Sequence, residues 1–299
     1  MDKYQRNYSI RVNTANSGTI AIKPPFTIEF DVMTNAWAQV SNVTIRIYNL
    51  SEAVRASIVK DTLDTTIYRM FEFKAGYGDD MPLIFYGNVR ACYSQRIGTE
   101  FVTTIEGWDG QYATINAYSS RSYSAGVLMT KIIRDLISDL HAVDININEG
   151  AISKKFDYEV KGRGISFHEK TYLALQRVTN GGFYIDKGLA FAVDEKDAIQ
   201  GGIPVLELDK GGLLGTPMRE ANFLTVNMLF EPRLMINQRI RLKSTGAKYW
   251  DGDYKILSIS HKGTISESVC GNAVTVAKFE FDKNRDVPAL VKRLQGYSL

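Results

Sequence analysis

The sequence predicts a mainly β chain with an α+β portion: two antiparallel β-barrel or sandwich regions at 1–120 and 206–299, flanking a small α+β domain at 121–205. Three observations carry that reading. Apolar and polar residues alternate along many short segments, the period of a half-buried strand. Tyrosine (16) and phenylalanine (14) are plentiful and crowd with β-branched residues into those same segments. Helical periodicity is confined to the middle of the chain.

From the N-terminus, residues 8–12 and 27–33 alternate, with Ile28, Phe30 and Val32 on one face and Glu29 and Asp31 on the other. In Asn42 to Tyr48, Val43, Ile45 and Ile47 point inward while Thr44 and Arg46 point out. Asn49-Leu50-Ser51-Glu52 then reads as a helix start, with the Asn49 side chain as cap, opening a short helix to about Val59. Strands follow near Ile67 to Tyr77, Leu83 to Ile97 and Phe101 to Trp108, divided by turns at 78–82 and Gly98-Thr99. Gly87 marks a bulge or bend in the long strand.

The polar run 118–124 has no periodicity and ends in a helix cap, so a boundary is placed there. Met129, Ile132, Ile133, Leu136, Ile137 and Leu140 form one stripe of an amphipathic helix. Ser166-Phe167-His168-Glu169 has the form of a capping box and announces a second helix, ending at Gly181-Gly182. Two apolar runs about Asp186-Lys187-Gly188 read as a hairpin. Strands return at Leu224 to Phe230, Gln238 to Lys243, Asp253 to His261 and Ala273 to Phe281. Turns lie at Gly211-Gly212, Gly246, Asp251-Gly252 and Gly271-Asn272, and a charged tail follows from Asp282.

Composition narrows the function. Lys+Arg 36 against Asp+Glu 33 leaves +3, spread without a basic block, too little to hold a polyanion as the main task. Residues 1–6 carry charge without an apolar run behind it, so no secretory signal is expected, nor does any stretch reach the roughly 18 apolar residues of a membrane span. Cys92 and Cys270 stand far apart and outside any metal or redox motif, as buried thiols do. His141, His168 and His261 have no ligand at metal spacing.

Catalytic motifs are equally thin. There is no GxSxG, and Gly162-Arg163-Gly164 lacks both the third glycine and the βαβ setting of a phosphate loop, so a turn explains it better. Glu29, Asp31, Glu106 and Asp109 contain enough acids for a glycosidase pair, but positions on strand faces favour solvated side chains. Trp37, Trp108 and Trp250 keep a carbohydrate platform open, against their more usual role in cores and interfaces.

Several segments resemble the baseplate hub proteins of contractile-tailed phages and related injection machines. They are 42–51 (strand into an Asn-Leu-Ser helix start), Phe73-Lys74-Ala75-Gly76-Tyr77 and Leu83-Ile84-Phe85-Tyr86-Gly87. Further along lie Gly164-Ile165-Ser166, Gly181 to Asp186, Gly211 to Pro217, Leu229 to Leu234, and Gly252 to Ile256 ahead of His261. The resemblance implies two tube-like β domains and a structural, non-enzymatic protein of the virion tail baseplate, synthesised in the bacterial cytoplasm. It implies a homotrimer that uses duplicated barrels to join a sixfold tail tube to a central spike and touches other baseplate proteins. The genome would pass through without specific binding, and neither cofactor, metal nor membrane insertion is called for. Arg46, Glu72, Lys74, Arg90, Arg239 and Arg241, on polar strand faces, are the expected interface residues. The alternatives are a tail-associated cell-wall hydrolase and a carbohydrate-binding tail-tip protein.

Overall fold

The computed structural model describes residues 5–16, 18–36, 41–64, 67–194, 197–199, 205–207, 212–220, 223–243, 250–266 and 273–280. Trp37, Cys270, the expected turns at Gly211, Gly246 and 271–272, and the tail from 281 lie outside them.

The first strands are β1 (Arg6–Asn13), β2 (Thr19–Ile22), β3 (Ile28–Asn35), β4 (Asn42–Tyr48), β5 (Met70–Tyr77), β6 (Leu83–Ile97) and β7 (Glu100–Trp108). They pair antiparallel in the order β2-β1-β5-β6-β7-β4-β3. The alternation is obeyed: Ile28, Phe30, Val32, Val43, Ile45, Ile47, Phe71 and Phe73 are buried in one core, with Tyr8, Ile10 and Val12 from β1. Gly87 sits where a Cβ would lie 2.5 Å from the Trp108 carbonyl oxygen, so it permits a close backbone approach. The bulge itself falls just after it, between Val89 and Ala91.

Helix α1 (Glu52–Ile58) is capped by Ser51, whose hydroxyl accepts from the Val54 amide, and not by Asn49. Asn49 instead adopts φ 59° and ties the end of β4 to β7, its side-chain oxygen accepting from the Phe101 amide at 3.1 Å. At the other end Arg69, itself buried, donates to the carbonyls of Ile58 and Val59, groups the helix leaves unsatisfied. Buried Lys60 donates to the carbonyls of Ile67 and Val89.

The middle of the chain holds α2 (Gln111–Asn116), β8 (Tyr118–Tyr123), α3 (Met129–Val143), β9 (Asn148–Ile152), β10 (Ile165–Lys170), α4 (Thr171–Thr179), β11 (Phe183–Asp186) and β12 (Leu189–Ala192). The expected stripe of α3 is buried in full. Two expectations fail here for one reason. The polar run at 118–124 and the apparent capping box at 166–169 are the two strands of a ribbon, paired from Ile165↔Tyr123 to Lys170↔Tyr118. Its inner face carries Ser119 and Phe167, while Ser120, Ser122, Ser166 and His168 look outward. Mostly polar residues alternate along both strands, so no apolar period marks them in the sequence. Helix α4 therefore starts at Thr171, and it ends as expected on Asn180 at φ 52° and Gly181 at φ 83°.

The hairpin β11–β12 is apolar on both faces because both are covered. Phe183, Ile185, Ala190 and Ala192 join the helical core, whereas Tyr184, Phe191 and Val193 enter a third core. That core is built from the late strands β15 (Phe223–Leu229), β16 (Arg239–Lys243), β17 (Gly252–Ile265) and β18 (Ala273–Glu280); β13 (Val205–Glu207) and β14 (Met218–Glu220) are the other late strands.

Among the described residues the early and late β regions are not separate sheets. They make one 13-stranded sheet, in the order β14-β15-β18-β17-β3-β4-β7-β6-β5-β1-β2, with β16 also on β17 and β13 on β16. Among the described residues this sheet does not close into a barrel. The cause is the length of β17: its start pairs with β16 and Ser258–Ile265 pair with Asn35–Ile28 of β3, while β18 lies along the opposite edge. One strand thereby serves two cores, with a register shift between Ile256 and Ser258 where it passes from one to the other.

A charged outer face and the joint of three cores

Since the inward residues of β3, β4, β6 and β7 fill the first core, their alternate side chains share an outer face, and cross-strand register decides which meet. Arg46 lies opposite Glu29 and pairs with it at 3.4 Å. Lys262 of β17 pairs with Asp31 at 2.8 Å. Arg90 holds Glu106 at 2.8 Å and stacks its guanidinium over Trp108, 4.4 Å from the ring centre. On β5, Glu72 is flanked by Lys74 at 3.3 Å and Arg11 at 3.9 Å. On β16, Arg241 grips Asp253 with two hydrogen bonds, 2.6 and 2.9 Å, and Arg239 is exposed.

Five of the six expected interface residues are thus already matched within the chain, in pairs that alternate in sign. Such exposed pairs each contribute little stability, about 0–1 kcal/mol. What they provide is a finely patterned surface of both signs whose paired charges are held in fixed places.

A second polar cluster lies where the cores meet. Asp109, just past β7, is buried; its Oδ2 accepts from the Gly188 amide at 3.4 Å, and its Oδ1 has no hydrogen-bonding partner. Burial, then the neighbouring Asp186, pushes its pKa well up, against the pull of the Gly188 and Lys187 amides. Burial raises Asp186 as well, opposed by Lys187. Beside them Asn146 links the sheet to the helical unit, accepting from the Tyr86 hydroxyl at 2.7 Å and donating to the Tyr68 hydroxyl at 3.1 Å and to Asp144 at 2.9 Å. On β17, buried His261 meets the Thr275 hydroxyl at 2.9 Å and the edge of Phe230, and burial, with Lys187, depresses its pKa to about 3. Thr275 also accepts from the Glu231 amide, so its one proton is free to go to Nδ1 of a neutral imidazole.

The remaining residues singled out in the sequence scatter. Glu29, Asp31 and Glu106 share the outer face, each beside a cation and open to solvent, whereas Asp109 is in the joint. Trp250 is buried and Trp108 lies under Arg90. Cys92 is buried, its thiol pushed up to about 12. His141 donates to the Ile147 carbonyl at 2.7 Å, and His168 packs on Tyr118. No group of three His, Cys, Asp or Glu side chains fit to hold a metal occurs among the described residues. Gly162 at φ 80° and Gly164, against the Tyr123 carbonyl, form the turn into β10. The joint had no linear signature: Asp109, Asp144, Asp186 and His261 converge from four separate elements.

Residues 10–264 match the family model described as baseplate hub gp41. The chain belongs to that family. The fold is that of known tail proteins. One is a tail protein from Neisseria meningitidis MC58, with a TM-score of 0.60 at 9% identity, covering 93% of this chain and 97% of that one. Another is the 43 kDa tail protein of prophage MuSo2 from Shewanella oneidensis, with 0.56 at 9%, covering 91% and 97%. A third is an E. coli component of the type VI secretion system described as structurally similar to the T4 bacteriophage tail proteins gp27 and gp5. Its TM-score is 0.54 at 8%, covering 91% of this hub-family chain and 77% of that chain. No curated protein matches the sequence significantly. The hub family is structural, and it places the chain in a phage tail.

Proposed function

We propose that this hub protein is a ring-forming adaptor that joins the tail tube to the central spike, working by assembly and not by catalysis. The observation that carries the reading is the family match across residues 10–264 on a fold shared with tail proteins. In this reading, three copies close around the tail axis and present regions 1–120 and 206–299 as one tube-facing layer, with 121–205 set against it. The tube and spike proteins are the immediate partners, other baseplate proteins surround the ring, and the genome passes through without specific contacts. Assembly would take place in the bacterial cytoplasm.

The outer face supports the same reading. Its charges are fixed by internal pairs, so a neighbouring subunit meets a prepared pattern instead of flexible side chains. Arg46, Glu72, Lys74, Arg90, Arg239 and Arg241 are the residues proposed to set that pattern. Native mass measurement and sedimentation of the purified chain, alone and with tube and spike proteins, test the proposal. A trimer, or capture into a ring by either partner, supports it. A strict monomer that binds neither overturns it.

A further inference from the structure

The joint between the sheet and the helical unit contains more carboxyls than cations. From the β11–β12 turn, Asp186 and the Lys187 and Gly188 amides face Asp109, and from the end of α3 comes Asp144. Tyr68, ahead of β5, and Tyr86 on β6 border the same cluster, both phenols kept neutral by burial, and His261 of β17 lies beyond Lys187. The Lys187 ammonium lies near Asp186 and donates to the Leu234 carbonyl at 3.4 Å. Asp109 is 1% exposed and leaves Oδ1 unpartnered. A carboxylate there, with one oxygen unpartnered and the other on a single long bond from the Gly188 amide, would be a poorly compensated buried charge beside a second acid, whereas a neutral carboxyl leaves only an unsatisfied dipole.

We propose that Asp109 keeps its proton in the folded chain at neutral pH, and that its neutrality lets the end of β7 sit against the β11–β12 turn, a contact that weakens as pH rises. Adding a negative charge to Asp109 would repel Asp186 in tightly packed surroundings: a Cβ on Gly188 would come within 2.9 Å of the Tyr86 ring, and one on Gly110 within 2.5 Å of Ile185. The sign is fixed by linkage. An acid whose folded pKa lies above its unfolded value contributes stability that is complete at low pH and is lost as pH rises through the folded value.

The test follows aspartate carboxyl carbons by NMR in the full chain from about pH 4 to about pH 9, against an ordinary value near 3.9. The expected result is a carboxyl that titrates far above the ordinary range and is missing from Asp109→Asn, whose urea midpoint also loses the decline that the parent shows as pH rises above about 4. If every aspartate of the parent is ionised by about pH 5, or if the variant keeps the parental pH profile, the proposal is overturned. Should Asp109→Asn fail to fold, Asp186→Asn decides. Removing the neighbouring acid must move the high titration downward, and an unmoved titration overturns the proposal.

Discussion

His261 is buried and held neutral, and that has a measurable cost in acid. Its folded pKa of about 3 lies below the ordinary 6.5, so its contribution is present above about pH 6.5 and is lost as pH falls toward 3. By about pH 4.5 the loss amounts to roughly 2–3 kcal/mol, since each unit is worth about 1.4 kcal/mol. Asp109 and Asp186 act in the opposite sense, because acid neutralises them, and the difference between parent and variant is therefore the informative quantity. Replacing His261 with Leu should flatten the urea midpoint between about pH 4.5 and pH 7 by that amount; an unchanged slope would show that the imidazole is not the titrating group. Arg69 is the other telling residue. Arg69→Met strips the Ile58 and Val59 carbonyls of their donor and should lower stability by about 2–3 kcal/mol, read from urea unfolding.

At the scale of elements, Gly87 fixes the angle at which β6 passes β7. A methyl group there would collide with the Trp108 carbonyl and the Asp109 backbone, neither of which is a flexible end, so Gly87→Ala should cost about 2–4 kcal/mol in thermal or urea unfolding. Gly98, at φ 63° with open space around its Cβ position, is a milder site for the same change, and the contrast separates collision from backbone strain. Elements with strong apolar periodicity were legible: β4, β6, the stripe of α3 and the β11–β12 hairpin lie where the sequence puts them. Those whose pattern is polar were not. Ser119 and Ser166 carry no apolar beat, and Ser51, not Asn49, caps α1 because Asn49 is needed across the strand pair. The outer-face charges could be named from alternation alone, but their partners depend on register between strands far apart in sequence, such as Lys262 and Asp31.

At the scale of the whole molecule, the assembly reading needs a test that leaves the fold intact. Arg46→Glu alone would place a new acid opposite Glu29, mixing loss of a pair with loss of an interface. The double swap Glu29→Arg with Arg46→Glu restores the pair while reversing the surface pattern. Its unfolding midpoint should stay within about 1 kcal/mol of the parent, while ring formation by native mass measurement falls at least about tenfold. A swapped chain that assembles like the parent removes these two positions from the interface.

Because β17 contributes to the first core through Ile265 and to the late core through Ile256 and Ile259, neither half owns it. The two halves should consequently melt in a single step, and the amides of Ser258 to Gly263, laddered on both edges, should be among the last to exchange with deuterium. A load applied at one end of the sheet would then travel along a shared beam into the other end without crossing a hinge.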